Sequence, residues 1–219
     1  MKVLAIDVGG THVKILATGR KTPLKFISGP TMTAKQMVSE VKRLSANWNY
    51  DVVSIGYPGP VLHGHILHEP YNLAPGWMKF NFEEAFGCPV KVINDAAMQA
   101  LGSYKGGSML FLGLGTGLGS AMIVDGRVEP MELGHLPYRK ATYEDYVGIR
   151  GLKRYGKKKW RKYVADVLER LAAALEPNDI VLGGGNVKQL KKLPEGCRQG
   201  NNANAFVGGF QLWSKGESE

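Results

Sequence analysis

Asp7 stands two residues before a glycine pair, in the run Val3-Leu-Ala-Ile-Asp7-Val-Gly9-Gly10-Thr11-His-Val-Lys14. A tight glycine turn after an apolar strand gathers several backbone N–H groups in one small volume, and such a nest binds phosphate. A carboxylate beside a phosphate is repelled unless a cation lies between them. Asp7 therefore fits Mg²⁺ held directly or through water, with substrate phosphate completing the shell. The alternative is a turn aspartate that hydrogen-bonds the local backbone. Lys14 either reaches the phosphate or is a plain surface lysine. The same turn recurs about a hundred residues later, without an acid, in Met109-Leu-Phe-Leu-Gly113-Leu-Gly115-Thr116-Gly117-Leu-Gly119. Two nests imply two half-sites for one phosphorylated substrate across a cleft.

Other residues carry different chemistry. Asp95, in the pair Asn94-Asp95, ends an apolar strand and opens a helix. It is either an N-cap or a general base that takes the proton from an attacking hydroxyl. Glu132, His135 and Glu144 follow the second turn and form a polar group able to accept from and donate to vicinal hydroxyls. Asn72, in a Pro/Gly-rich loop, either contacts the same sugar or is an ordinary turn residue. His63, His65 and His68 are close enough in sequence to share a metal, or are simply exposed. Gly183-Gly184-Gly185 follows a short strand and either admits a nucleotide close to the backbone or is a flexible turn. Trp48, Trp77, Trp160 and Trp213 read as core or interface residues.

The elements that must position these groups are legible from periodicity. Residues 2–8 and 12–18 form a hairpin, and a third short strand covers 26–30. Thr33 caps a helix reaching about Asn47, with Met37, Val38, Val41 and Leu44 on one face. A buried strand covers 51–57, a short strand or hairpin 61–67, and Asn81 caps a helix over 82–86 with Glu84 in support. The strand 89–93 leads into a helix ending near Tyr104. The second glycine hairpin spans 109–124, and Asp125-Gly126 turns the chain. Thr142 to Gly151 reads as helical, Lys157 to Leu175 as the clearest helix, and Asn204 to Trp213 as a final docked helix. Mixed hairpins and helices argue for α/β with mixed sheets. The second glycine run precedes a strand, where a dinucleotide fingerprint requires a helix.

The 219 residues carry a formal charge of +9. Seven cations and no acid fall in Lys153-Arg-Tyr-Gly-Lys-Lys-Lys-Trp-Arg-Lys162. That run is either a solvated helix face or a contact for a polyanion such as polyphosphate. No zinc-finger, ribonucleoprotein or helix-turn-helix pattern accompanies it, so no nucleic-acid partner is expected. No stretch is apolar for long enough to span a membrane, and no leader pattern precedes the first strand. Cys88 and Cys197 read as free thiols of a reducing, cytoplasmic setting.

Taken together and in order, Asp7-x-Gly9-Gly10-Thr11-x-x-Lys14, Asn72-Leu-x-x-Gly76-Trp77, Asn94-Asp95, Leu114-Gly-Thr-Gly-Leu-Gly119, Glu132-Leu-Gly-His135 and Gly183-Gly-Gly185 resemble the ROK family of sugar kinases and repressors. Within it they look most like the polyphosphate glucokinases. The resemblance implies a two-lobed actin-like ATPase fold with a duplicated ribonuclease-H-like core. It implies a first lobe of residues 1–105 plus 204–219 and a second of 106–203. It makes Asp95 the catalytic base and Asp7 the carboxylate for Mg²⁺. Gly9, Gly10, Thr11, Lys14, Gly115, Thr116 and Gly117 would hold phosphates, and Gly184 and Gly185 the nucleotide or donor chain. Asn72, Asn94, Asp95, Glu132, His135 and Glu144 would bind the hexose. The cysteine-rich zinc motif of most members is missing from 136–145, so no structural zinc is expected, as in the polyphosphate-using members. The absence of a winged helix before Met1 disfavours the repressor branch. The expected activity is a homodimeric glucokinase using polyphosphate, ATP or both. The alternatives are an ATP-dependent kinase for another hexose or N-acetylhexosamine, and a non-catalytic sugar-binding regulator.

Overall fold

The computed structural model describes residues 1–214, which divide into two compact units. The first comprises Met1–Gly102 and the segment from Ala205; the second comprises Ser103–Asn204. The part of the expected first lobe at 215–219 lies outside the described residues. No helix among the described residues is long and apolar enough to cross a membrane.

In the first unit, β1 (Val3–Val8), β2 (His12–Ala17), β3 (Leu24–Ile27), β4 (Val52–Tyr57) and β7 (Val90–Asn94) form one sheet in the order β3-β2-β1-β4-β7, while β5 (Val61–Leu62) and β6 (His65–Ile66) make a small hairpin. The first three strands are antiparallel, and β1, β4 and β7 run parallel. All six residues of β1 and of β4 are buried, which explains their unbroken apolar character. β2 alternates between buried and half-buried residues.

Three helices flank this sheet. Helix α1 (Ala34–Leu44) starts at a Thr33–Gln36 capping box and buries Met37, Val38 and Val41. It stops three residues before the expected end because the Ser45 hydroxyl donates to the Val41 carbonyl, 2.7 Å. Helix α2 (Phe82–Phe86) is capped by Asn81, whose side chain accepts from the Glu84 N–H at 3.1 Å. Helix α3 (Asp95–Ser103) continues directly from β7.

The second unit repeats the plan. β8 (Ser108–Leu114), β9 (Leu118–Val124), β10 (Arg127–Met131), β13 (Asp179–Gly183) and β14 (Cys197–Gln199) are ordered β10-β9-β8-β13-β14, and β11 (Pro137–Tyr138) pairs β12 (Ala141–Thr142). Again a three-strand antiparallel meander is joined through its first strand to two parallel strands. The two units are thus a topological duplication, with the glycine turns at equivalent hairpins.

Helix α4 (Tyr143–Val147) begins at a Thr142–Asp145 capping box. Helix α5 (Ile149–Leu175) is two helices joined at Gly156, whose φ of 70° breaks the hydrogen-bond ladder. Its second part, from residue 157, buries Trp160, Tyr163, Val164, Val167, Leu168 and Leu171. The Trp160 indole N–H donates to the Val147 carbonyl at 2.8 Å, tying α4 to α5.

Helix α6 (Asn204–Gln211) returns the chain to the first unit. A Cβ on Gly208 would collide with the Met98 carbonyl of α3, and one on Gly209 would lie 2.8 Å from the Ala5 Cβ. Two glycines therefore let α6 lie against backbone. The buried Ser54 hydroxyl donates to the Gly209 carbonyl, 2.6 Å, and accepts from the Trp213 indole, 2.9 Å.

Candidate functional site

In the first unit the groups converge on one end of the sheet. Asp7 pairs in register with Gly56, and Gly56 with Ile93. Asp7, the penultimate residue of β1, and Asp95, the residue just after β7, therefore lie at the carboxyl ends of parallel strands two positions apart. Two strand spacings put those backbones about 10 Å from each other. Ligands of open α/β sheets bind at this end. Gly56 lies between them, and a Cβ there would sit 2.5 Å from the Met98 Cε and 3.4 Å from the Asp95 Cα. Its lack of a side chain lets α3 start where it does.

Asp7 is buried, and the Lys14 ammonium donates to its Oδ2 at 3.0 Å. The hairpin register Asp7↔Lys14 sets the two side by side on adjacent strands. Lys14 is thus a partner of the carboxylate, a role that neither of its expected readings contained.

The first glycine turn is closed by the Gly9 N–H donating to the His12 carbonyl, 3.0 Å. Ser28 clamps it from outside: its hydroxyl donates to the Gly9 carbonyl at 2.6 Å, and its N–H donates to the Thr11 carbonyl at 3.0 Å. The Gly10 and Thr11 N–H groups have no partner among the described residues. A Cβ on Gly10 would lie 3.1 Å from the Asn72 Cβ, so the Asn72 loop rests on this turn. That loop is drawn in by Glu69, whose carboxylate accepts from the Gly76 and Trp77 N–H groups, both at 2.9 Å. Burial, with Glu69 adding to it, raises the pKa of Tyr57, whose hydroxyl donates to the His68 carbonyl at 2.8 Å.

Asn94, rather than Asp95, caps α3. Its Oδ1 accepts from the Ala97 N–H at 3.0 Å and its Nδ2 donates to the Gly59 carbonyl at 3.0 Å. Asp95 is the first helical residue, and its Oδ1 accepts from the Ala96 N–H at 2.7 Å. The two readings that the sequence leaves open for Asp95 are thereby separated: the cap belongs to its neighbour.

The second turn is built alike. The Gly115 N–H donates to the Gly117 carbonyl, 3.2 Å, while the Ile149 N–H and the Asn186 side chain occupy the Gly115 carbonyl at 3.1 and 2.8 Å. The Thr116 and Gly117 N–H groups have no partner among the described residues. Each turn thus spends its first N–H on closure and leaves the next two as donors.

Glu132 precedes and His135 ends a 3-10 turn, Leu133–His135. Ser120 pins that turn: its buried hydroxyl donates to the Met131 carbonyl at 2.6 Å and accepts from the Leu133 N–H at 3.0 Å. A Cβ on Gly134 would lie 2.9 Å from the Leu118 carbonyl and 3.5 Å from the Glu144 Cβ. The Glu144 carboxylate lies against Gly117, where a Cβ would collide with its Oε2. The second turn carries no acid in sequence, yet folding supplies one. Arg150 balances it, with Nη2 3.1 Å from Glu144 and 3.0 Å from Asp145. The Thr142 hydroxyl, chief among several contacts, holds the Asp145 carboxyl below its ordinary pKa.

Gly184 packs on this turn from behind. Its φ is 84°, and a Cβ would strike the Leu114 backbone. Gly184 and Gly185 open a cavity of about 550 Å³, whose rim includes Lys188, Gln199, Asn201 and Asn202. His63, His65 and His68 are exposed around the β5–β6 hairpin. Among the described residues no three His, Cys, Asp or Glu side chains gather as a metal cluster.

Sequence reasoning misses Ser28, Ser120, Glu69, Arg150 and Gly56. A run of pattern or spacing marks none of them, since each acts through a partner set by tertiary structure.

Comparison with known proteins agrees with this architecture. The model of the ROK family matches residues 3–144. The polyphosphate glucokinase of Mycobacterium tuberculosis (strain CDC 1551 / Oshkosh) is 27% identical over 209 residues, covering 85% of this chain and 78% of the relative. A putative fructokinase of Bacillus subtilis (strain 168) is 27% identical over 234 residues, covering 84% of this chain and 77% of the relative. The crystal structure of an inorganic polyphosphate/ATP-glucomannokinase from Arthrobacter sp. strain KM superposes with a TM-score of 0.84 at 23% identity, covering 96% of this chain and 97% of that one. The duplicated sheet is therefore the actin-like ATPase fold. With the glycine turns, the Asn94-Asp95 pair and the Glu132–His135 turn all inside or bordering matched elements, this chain belongs to the ROK family.

Proposed function

We propose that the protein is a sugar kinase that transfers a phosphoryl group from polyphosphate or ATP to the 6-hydroxyl of glucose. The observation that carries this reading is the placement of Asp7 and Asp95 at the carboxyl ends of parallel strands in one sheet, with Gly56 between them. A sugar-binding regulator needs hydroxyl contacts but no second carboxylate held at a strand end. Asp95 accepts the proton of the attacking hydroxyl, an effect typically worth ~10²–10⁴-fold. The products are glucose 6-phosphate, a donor shorter by one phosphoryl group, and the proton.

Asp7 fits Mg²⁺ of the kind bound by one carboxylate with water and phosphate, since Lys14 occupies only its Oδ2. When bound, the ion neutralises charge on the transferring phosphoryl group. The chain's own contributions are the paired N–H donors of each glycine turn, which face developing negative charge without reorganising. In the second unit Glu132, His135 and Glu144 offer groups that accept from and donate to sugar hydroxyls, and in the first unit Asn72 offers an amide. Asn94 acts chiefly by fixing the start of α3, and so the position of Asp95.

The test follows transfer of radiolabelled phosphate to glucose, mannose, fructose and N-acetylmannosamine, from ATP and from polyphosphate. Glucose turnover above the other sugars is the expected result. Turnover of fructose or an N-acetylated sugar in its place overturns the substrate assignment, and no turnover of any sugar overturns the kinase.

Ser120 is a positioning residue in this scheme. Ser120→Ala removes the hydroxyl that holds both backbone neighbours of Glu132. A lost buried hydrogen bond costs about 1–3 kcal/mol, of which part reaches the sugar. The expected result is a glucose KM raised roughly 3- to 10-fold, with kcat and the donor KM changed by less than about 2-fold. A uniform fall in kcat with unchanged glucose KM removes Ser120 from sugar positioning.

A further inference from the structure

We infer that a linear polyphosphate donor runs from the Gly184–Gly185 cavity over Arg161 to Lys157 and Lys158, and that Lys159 takes no part. This rests on the kinase reading and specifies how its donor is held.

The cavity rim supplies backbone from Gly184 and Gly185, the Lys188 ammonium and the amides of Gln199, Asn201 and Asn202. Backbone N–H groups, amides and one cation suit phosphate oxygens. Lys188 sits in the short turn Val187–Gln189, and Arg161 of α5 holds that turn by donating from Nε to the Gln189 carbonyl at 2.7 Å. The rim of the cavity and the basic helix are thus joined within one unit.

Lys157 and Lys158 precede Arg161 by four and three residues, so helical geometry puts all three on one side of α5. Both lysines are exposed, and neither they nor Lys188 make an ion pair with a carboxylate among the described residues. Lys159 turns the other way. Its ammonium lies 5.3 Å from the Tyr155 ring and 5.9 Å from the Tyr163 ring. The uniform basic run of the sequence is therefore divided by the helix into a free strip and a cation over aromatic rings.

A nucleotide triphosphate is short enough to end within the cavity. A long phosphate chain has charge left over, and the strip offers it cations without aromatic faces for bases. Each cation contact to a polyanion is worth a few-fold in affinity at moderate salt.

The experiment compares Lys157→Ala/Lys158→Ala with Lys159→Ala, using ATP, tripolyphosphate and long-chain polyphosphate, with glucose saturating. The double variant is expected to raise the KM for long-chain polyphosphate about tenfold more than that for ATP or tripolyphosphate, and to flatten its salt dependence. Lys159→Ala is expected to leave the long-chain KM within about 2-fold. Equal effects on all donors, or an effect of Lys159→Ala matching the double variant, overturn the track. Direct titration of long-chain polyphosphate onto each protein separates this from failure of the kinase reading. Tighter binding by wild type than by the double variant supports the track even where no sugar is turned over. Equal binding by the two overturns it, as does a larger loss toward single-stranded RNA than toward polyphosphate.

Discussion

On the proposed function, Asp95→Asn is expected to lower kcat for glucose phosphorylation by ~10²–10⁴-fold, with ATP and polyphosphate alike. The substitution is chosen because asparagine keeps an oxygen able to accept from the Ala96 N–H, now at 2.7 Å from the Asp95 carboxylate. It removes only the ability to take a proton and the negative charge. The start of α3 does not depend on that charge, since Asn94 accepts from the Ala97 N–H at 3.0 Å. What stability is lost comes from an acid at the positive end of a helix, about 0.3–1 kcal/mol. For a chain of this size that is about 1–4 °C in Tm. Asn94→Ala gives the opposite pattern: it removes a cap and strands the Gly59 carbonyl, so its Tm falls further. Kinetics and melting curves on the two variants check the division of labour. An Asp95→Asn protein that keeps more than about a tenth of wild-type kcat excludes a base at this position.

That division also shows which parts of the site a sequence can reveal. The glycine hairpins are legible because β1 and β8 are central strands, whose burial on both faces leaves an apolar run ending abruptly in glycine. The helix caps Thr33 and Asn81 are legible because their partners lie three residues away. Strands β10 and β14 escape notice for physical reasons. β10 is an edge strand whose pattern is interrupted by Pro130, which pairs opposite Ala121, and β14 has only three residues. The third strand lies at Leu24–Ile27, earlier than its apolar signal, because Ser28 is recruited to clamp the glycine turn.

At the site the same rule holds. Asp7 is visible as an acid in a turn motif, but its Lys14 partner depends on hairpin register. Glu144 is visible as a polar residue, but its contact with Gly117 depends on how α4 packs against the second hairpin. Ser28 and Ser120 are small polar residues with distant backbone partners, and no local pattern distinguishes them from surface serines. Local chemistry is written in the sequence; what holds it in place is written in the packing.

Gly184→Ala destabilises the second unit, by an amount that follows from two independent costs. The φ of 84° is unfavourable for any residue with a Cβ, at about 1–2 kcal/mol. The added methyl also meets the Leu114 backbone, which is not free to yield: Leu114 pairs with Leu118 in the hairpin, and its carbonyl accepts from the Asn186 N–H at 2.9 Å. Overpacking of this kind costs about 1–3 kcal/mol. Together they lower Tm by about 5–15 °C. Gly185 is the natural control, because it has no left-handed φ and nothing lies within 4 Å of a Cβ built there. Gly185→Ala therefore melts like wild type, within about 0.5 kcal/mol. It nevertheless places a methyl on the rim of the cavity proposed to hold the donor. Its effect belongs in the donor KM, leaving that for glucose unchanged. Adjacent glycines thus separate two demands on the same loop: one residue lets the backbone close on the turn, the other leaves room for what the turn binds. If Gly184→Ala melts with wild type, the close approach to Leu114 does not exist in solution. If Gly185→Ala alters the glucose KM and spares both donors, the cavity is not where the phosphoryl donor sits.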